Sequence, residues 1–387
     1  MTQVTVGIVG LGAMGLGIAQ VFAASGAAVR ATDLSARMRD QAVAGIAASL
    51  DRRVAAGRLS EAERDATLAR IAIVERPEDL ASCAMVIEAI VEDLGAKAAL
   101  FATLDGVLDP GAVLASNTSS LSVGALAGAT AHPGRVLGLH FFNPAPAMKL
   151  VELVAHDGTD PAALALARTL TEAAGKTVIA CADRPGFIVN RCARPFYGEA
   201  LALLEEGRSP AEIDAAMLGA GYRMGPFALI DLVGADVNLA ATRSLAGAMG
   251  GHPRYHVFDA LLRQVESGNL GRKTGRGFLF PDAPGAPPAD AAEIVLRIEA
   301  TLANEAATLL DEGGVTEEGI DTALKLGLNF PRGAFEAARA QGLPAILARL
   351  CDLEQAAPAP LAGRYRPSDR LVALGDPARR GGRVDHR

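Results

Sequence analysis

His140 and Glu152 stand twelve residues apart in HFFNPAPAMKLVEL, residues 140–153. Histidine is the side chain that can lose and regain a proton near neutrality, as a reversible proton transfer requires. A carboxylate on its second ring nitrogen would hold the imidazole and stabilise the imidazolium once formed. The pair is therefore half of an acid–base machine, or else a core histidine satisfied by a hydrogen bond. These two residues alone leave both readings open.

A second group near the N-terminus points to phosphate chemistry. VTVGIVGLGAMGLGIAQVFAASGAAVRATD reads as a buried strand, a glycine turn, a helix and a second strand ending in Asp33. Gly10, Gly12 and Gly15 fit GxGxxG, with Ala13 and Met14 between the last two. Gly10 allows the tight turn, Gly12 lets the backbone approach a pyrophosphate, and Gly15 lets helix and strand pack closely. The helix N-terminus then faces the phosphates. Asp33, 18 residues after Gly15, can accept hydrogen bonds from both ribose hydroxyls, and its charge would repel a 2′-phosphate. NAD is favoured over NADP.

The elements that position these groups alternate. Strand-like runs recur at 71–75, 84–90, 112–116, 136–142, 150–155 and 177–180, in alternation with helices, as a doubly wound sheet requires. Between Asp33 and Ile71 the helical pattern is longer than a crossover needs and predicts an inserted helical hairpin. Near residue 184 the strands stop and helical periodicity takes over. EALALLEEGRSPAEIDAAM recurs as EAATLLDEGGVTEEGIDTAL, matching Glu199 with Glu305, Leu203 with Leu309 and Asp214 with Asp321 at offsets of 106 to 107 residues. The fold class is an α/β Rossmann-type domain with an inserted helical hairpin, then an all-α domain and a second, shorter helical repeat. The boundaries are 1–183, 184–282 and 293–375, with a Gly/Pro/Ala linker at 281–292. The last stretch, DPARRGGRVDHR, is expected to fray.

Composition narrows the classes. A chain of 387 residues, half of them hydrophobic, supports two or three packed domains. A net charge of −7 without a basic cluster argues against nucleic acid as the main partner. No apolar run reaches the roughly 18 residues of a membrane span, and MTQVTVGIVG runs straight into a strand, leaving no room for a signal peptide. Cys83, Cys181, Cys192 and Cys351 are scattered without metal-ligand spacing, so no metal is expected and a reduced cytoplasm fits.

Four segments in order, GLGAMGLGIAQ, SNTSSLSV, GLHFFNPAPAMKLVELV and DRPGFIVNR, resemble the short-chain L-3-hydroxyacyl-CoA dehydrogenases over residues 4–282. The resemblance implies NAD-dependent oxidation of a 3-hydroxyacyl-CoA to the 3-oxoacyl-CoA. It makes His140 the general base, Glu152 its orienting acid, Ser119 the partner of the reacting oxygen, and Asn190 a substrate contact from the helical domain. It places Glu92, Lys97 and Asn143 near NAD, with Lys273 of GRKTGRGF as a further candidate. It also implies a helical domain through which two chains pair, so a fused second copy at 293–355 would pack on 185–280 as an intramolecular pseudo-dimer. Further homo-oligomerisation remains open.

The chain departs from the pattern in the hairpin. Relatives carry lysines in a SLxxxVKKGK-like segment that reaches the CoA phosphate, whereas this chain reads SLDRRVAAGR. Ser49 is kept, and Arg52, Arg53 or Arg58 would supply the charge through their guanidinium groups. The later copy is read as lacking a counterpart of PGFIVNR and hence as structural. Two rival readings are a gulonate-type hydroxyacid or sugar dehydrogenase of the same layout and a catalytically silent NAD-binding protein.

Overall fold

The computed structural model describes residues 4–376; residues 377–387 of the terminal run expected to fray lie outside the described residues. The described residues form two compact units, one ending at Phe187 and the other beginning at Ile188. In the first, β1 (Thr5–Val9), α1 (Ala13–Ala24), β2 (Ala28–Thr32), α2 (Ala36–Ala55), α3 (Glu61–Leu68), β3 (Ile71–Ile73) and β4 (Met85–Glu88) come first. They are followed by α4 (Leu94–Asp105), β5 (Val113–Ser116), α5 (Val123–Ala127), β6 (Val136–Phe141), β7 (Leu150–Ala155), α6 (Pro161–Ala173) and β8 (Thr177–Ala182). The strands make one sheet in the order β3-β2-β1-β4-β5-β6-β7-β8.

Strands β1 to β6 pair in parallel, and β4 and β5 are buried throughout and apolar up to a last polar residue, Glu88 and Ser116, as suits strands covered on both faces. The order reverses between β1 and β4, which puts the ligand crevice of such a sheet at the C-terminal ends of these strands. The hairpin α2–α3 is present, its second helix started by a capping box between Ser60 and Glu63. Alternation with α-helices fails at β3–β4, joined through a 3₁₀ turn at Pro77–Leu80, and again at β6–β7. A loop, residues 142–149, joins β6 to β7, so this pair is antiparallel, because a loop that short cannot make a parallel crossover.

The second unit is helical. It contains α7 (Val189–Cys192), α8 (Arg194–Glu205), α9 (Pro210–Gly219), α10 (Pro226–Val233), α11 (Ala235–Ala248) and α12 (Asp259–Glu266). The later copy supplies α13 (Ala291–Asp311), α14 (Glu317–Leu328), α15 (Ala334–Gln341), α16 (Leu343–Ala356) and α17 (Asp369–Gly375). Helix α13 packs on α8 and α9, burying Ile294, Ile298 and Leu302.

Ion pairs cross between the copies reciprocally. The guanidinium of Arg191 donates to Glu305 at 2.6 Å and to both Glu312 oxygens at 2.6 and 2.7 Å. That of Arg297 donates to Glu199 at 2.6 Å and to both Glu206 oxygens at 2.6 and 2.7 Å. Each of these three positions recurs after 106 residues. Asp214 and Asp321 match as well, each accepting backbone N–H groups at the start of a helix, from Phe227 and Ala228 and from Phe335 and Glu336.

This symmetry corrects one expectation. The later copy does have a counterpart of PGFIVNR: IVNR at 188–191 aligns with IVLR at 294–297. It keeps the arginine because the arginine ties the copies together, and it carries Leu296 where the first copy has Asn190. Losing one partner of such a buried pair costs about 3–5 kcal/mol, since the other charge is left without compensation.

Candidate active site

The cofactor loop follows β1. Gly10 has φ 99°, and a Cβ there would lie 2.5 Å from the Ala89 carbonyl oxygen. A Cβ at Gly15 would lie 1.8 Å from the carbonyl oxygen of Gly10, so helix and turn meet backbone to backbone. At Gly12 a Cβ would meet nothing within 4 Å: the space over the turn is open, as a cradle for a pyrophosphate needs to be. Ala13 and Met14 open α1 with their N–H groups in its first turn. Just beyond β2, the Asp33 carboxylate accepts from the backbone N–H of Leu11 and of Ser35, each at 2.8 Å. One acid thus pins the loop and stands at the end of the second strand. The residues present fit a dinucleotide.

At the ends of β4 and β5 lies a network that the sequence reading reached only in part. Glu88, the last residue of β4, has no solvent exposure. It accepts from the Lys97 ammonium at 2.5 Å, the Ser116 hydroxyl at 2.7 Å and the Ile90 N–H at 2.7 Å. Lys97, 1% exposed, also lies 3.2 Å from Glu92, so its charge is shared between two carboxylates. Glu92 in turn accepts from the Thr118 hydroxyl at 2.7 Å, the Ser119 N–H at 2.8 Å and the Ser119 hydroxyl at 3.2 Å. Burial works to raise the Glu92 carboxyl, but the Thr118 hydroxyl, the Lys97 ammonium and the Ser119 N–H outweigh it and hold it below the ordinary range. Of the two cofactor-side candidates, Glu92 is therefore joined directly to Ser119, and Lys97 reaches it through Glu92.

His140 and Glu152 face each other across the antiparallel pair β6–β7. Directly opposite residues project on the same side of a sheet, and His140 Nδ1 meets Glu152 Oε2 at 2.6 Å. Glu152 has no exposure and His140 keeps 7%. An ionised carboxylate only accepts, so Nδ1 carries the proton of this contact, and in a neutral ring Nε2 is the acceptor. Two rings confine the imidazole, Phe142 at 4.5 Å and Phe187 at 5.9 Å between centroids. Phe187 has φ 48°, in the left-handed region that few bulky residues adopt.

Two further residues hold this corner, and the sequence reading missed both. Asn117, from SNTSS, accepts the Phe141 N–H on its side-chain oxygen at 2.8 Å, tying the serine loop to the strand that carries His140. Lys176 donates to the carbonyls of Ala145 and Met148 at 2.6 and 2.7 Å, bracing the loop between β6 and β7. Burial pushes its ammonium down to about 8. Asn143 is exposed in that loop and precedes Pro144 through a cis peptide bond.

The remaining candidates separate. Ser49, Arg52 and Arg53 lie on α2 and Arg58 just after it. Arg52, Arg53 and Arg58 are all exposed, and of the three Arg53 lines a pocket of about 400 Å³ shared with Gln20, Ser25, Lys149 and Lys176. Asn190 belongs to α7 of the helical unit. Lys273 belongs to that unit as well, and its ammonium is paired with Asp236 at 2.5 Å. No group of three His, Cys, Asp or Glu suited to a metal ion occurs among the described residues. Among them, too, no helix is long and apolar enough to cross a membrane.

Comparison with known proteins places this geometry. The profile of the 3-hydroxyacyl-CoA dehydrogenase NAD binding domain matches residues 5–184. The profile of that family's C-terminal domain matches residues 186–280 and again 294–384. A 3-hydroxyadipyl-CoA dehydrogenase of Escherichia coli K12 is 45% identical over 277 residues, 70% of this chain and 58% of that protein. The match thus spans little more than half of that relative's length. A 3-hydroxybutyryl-CoA dehydrogenase of Mycobacterium tuberculosis is 44% identical over 278 residues, covering 70% of this chain and 96% of the relative. The crystal structure of a 3-hydroxybutyryl-CoA dehydrogenase from Escherichia coli K12 covers 97% of this chain and 98% of its own, with a TM-score of 0.89 at 33% identity. Matched by both domain profiles over most of its length, the chain belongs to the 3-hydroxyacyl-CoA dehydrogenase family, with an NAD-binding domain followed by the C-terminal domain twice.

Proposed function

We propose that the chain oxidises the hydroxyl of an L-3-hydroxyacyl-CoA to the 3-oxo group, reversibly, with NAD. The single observation that carries this reading is the 2.6 Å contact of His140 with Glu152, in a family member whose glycine loop fits a dinucleotide. Bound NAD supplies the hydride acceptor. His140 Nε2 takes the hydroxyl proton, and the buried Glu152 carboxylate holds the ring and opposes the positive charge that forms on it. Ser119, anchored through Glu92, hydrogen-bonds the reacting oxygen. Asn190 holds the substrate from the helical unit.

The lining of the pocket at Arg53, with Lys149 beside it, suits a phosphate of CoA, so among the arginines considered Arg53 is our choice. We also take the second C-terminal copy to stand where a partner chain's helical domain would stand, because its ion pairs with the first copy are reciprocal in the way of a two-fold interface. Four free cysteines, three of them buried, suit a reducing compartment such as the cytoplasm.

The test is turnover followed by NADH absorbance. Oxidation of (S)-3-hydroxybutyryl-CoA with NAD, together with negligible rates on the free 3-hydroxy acid and on gulonate, is the expected result. Faster turnover of the free acid or of gulonate would favour the sugar-acid reading. No turnover of any substrate by NAD-binding protein would favour a silent binder.

A further inference from the structure

Three cations gather in the pocket at Arg53 without an acid to answer them. Arg53 comes from α2, Lys149 from the loop before β7, and Lys176 from the turn before β8. All lie in the first unit, and no lining residue is a carboxylate. The other buried basic side chains of that unit are paired: Lys97 holds Glu88 and Glu92, and Arg135 holds Asp105. No ion pair joins a carboxylate to any of the three among the described residues. Glu63 feels the charge of Arg53, but its carboxylate is committed to Ser60. Beside them, Gln20 is 2% exposed, and its amide nitrogen has no hydrogen-bond partner. A buried donor left unmet is costly. The pocket, about 400 Å³, has room for a small anionic group. Three cations and an amide donor fit a phosphate.

One wall of the pocket is the loop between the strands of His140 and Glu152. Pro146, Ala147 and Met148 of that loop line it. The Lys176 ammonium donates to the Ala145 and Met148 carbonyls; it carries three N–H groups, so one remains uncommitted. The Lys149 carbonyl accepts the Thr177 N–H at 2.8 Å, which fastens the end of the loop to β8. On the other side stands α1. A Cβ at Gly17 would lie 3.1 Å from Pro146 and 3.2 Å from Ala145, so helix and loop are in close contact. Gln20 follows on the same helix, whose start forms the cofactor cradle. An anion held among these groups ties the loop to α1 and α2. It also supplies the counter-charge that Lys176 lacks, burial having pushed that ammonium down to about 8.

Fixing that loop acts on His140. The loop sets the register in which His140 faces Glu152, and a catalytic group slightly out of place loses rate steeply. Contacts remote from the reacting carbon can in this way raise kcat and not only lower KM. We propose that the phosphate-bearing end of CoA, held by Arg53, Gln20, Lys149 and Lys176, activates the enzyme by bracing the β6–β7 loop. The far end of the substrate then speeds the chemical step as well as tightening binding. This inference rests on the proposed 3-hydroxyacyl-CoA reaction and on the phosphate reading of this pocket.

The test cuts the substrate in two. (S)-3-Hydroxybutyryl-N-acetylcysteamine keeps the reacting thioester without phosphates, and adenosine 3′,5′-bisphosphate supplies the severed end. With NAD saturating, the bisphosphate is expected to raise kcat on the short thioester by at least about tenfold in the wild type. That factor is expected to fall to near one in Arg53→Met and in Gln20→Leu. An unchanged kcat in the wild type, or no turnover of the short thioester with the bisphosphate present, overturns the proposal. Turnover of (S)-3-hydroxybutyryl-CoA with NAD leaves the dehydrogenase reading standing in either case. Activation that persists in both variants places the effect at another site and overturns the proposal as well. Inorganic phosphate that activates as strongly as the bisphosphate marks a free anion as the ligand and contradicts the assignment to CoA.

Discussion

Glu152 and Asp33 each do two things at once, and substitution separates them. Glu152 has no exposure and meets a ring nitrogen of His140. Glu152→Gln keeps the shape and removes the charge that opposes the imidazolium. It is expected to lower kcat and to move the pH profile of the remaining rate; an unmoved profile would make Glu152 a spacer. Asp33 binds the Leu11 N–H as well as standing at the end of β2. Asp33→Ser is therefore expected to weaken NAD binding and narrow the gap to NADP, as seen in KM values for the two cofactors. Equal use of both by the wild type would contradict that role. His140, Glu152 and the glycines were legible because their types and spacing are unusual together. Glu88, Asn117 and Lys176 were not, because each is a lone polar residue in an apolar strand, a serine-rich loop or a turn. Apart from the Ile90 N–H beside Glu88, their partners lie 9 to 31 residues away in sequence and become neighbours only in the folded sheet.

The β6–β7 pair is the element on which the proposed chemistry depends. A slip of one residue would turn either His140 or Glu152 to the opposite face, so the loop that sets the register matters as much as the strands. Both strands could be read from their apolar runs, but the antiparallel turn interrupts the strand–helix alternation that most of the sheet obeys. Lys176 braces that loop at a cost that depends on pH. Its folded pKa is depressed to about 8 from 10.5, so the unfolded chain binds more protons between these values, and stability rises with pH through this window. In urea denaturation, wild type is expected to gain stability relative to Lys176→Met on going from pH 7.5 to pH 10. A difference that shrinks over that range would mean the lysine is not desolvated.

Across the molecule, a Rossmann sheet carries the proposed acid–base pair and the glycine loop, and a duplicated helical domain follows. The duplication was visible from Glu199, Leu203 and Asp214 recurring in register. Its purpose was not, because the arginines that answer those acids sit in a segment where the two copies diverge around Asn190 and Leu296. Helix α13 buries its apolar face on α8 and α9 within one unit, so truncation after residue 285 uncovers that face together with Glu199 and Arg191. The truncated chain is expected to aggregate or to dimerise, as read by light scattering. A soluble, fully active truncation with an unchanged oligomeric state would refute the pseudo-dimer.

The most direct measurement is the kcat of His140→Gln with a 3-hydroxyacyl-CoA and NAD, alongside its affinity for NADH. A general base typically contributes about 10²–10⁴-fold, and the cofactor loop is separate in sequence from His140. The expected result is a loss of at least that size in kcat with NADH binding nearly unchanged. Retention of more than about a tenth of the wild-type kcat would contradict His140 as the base.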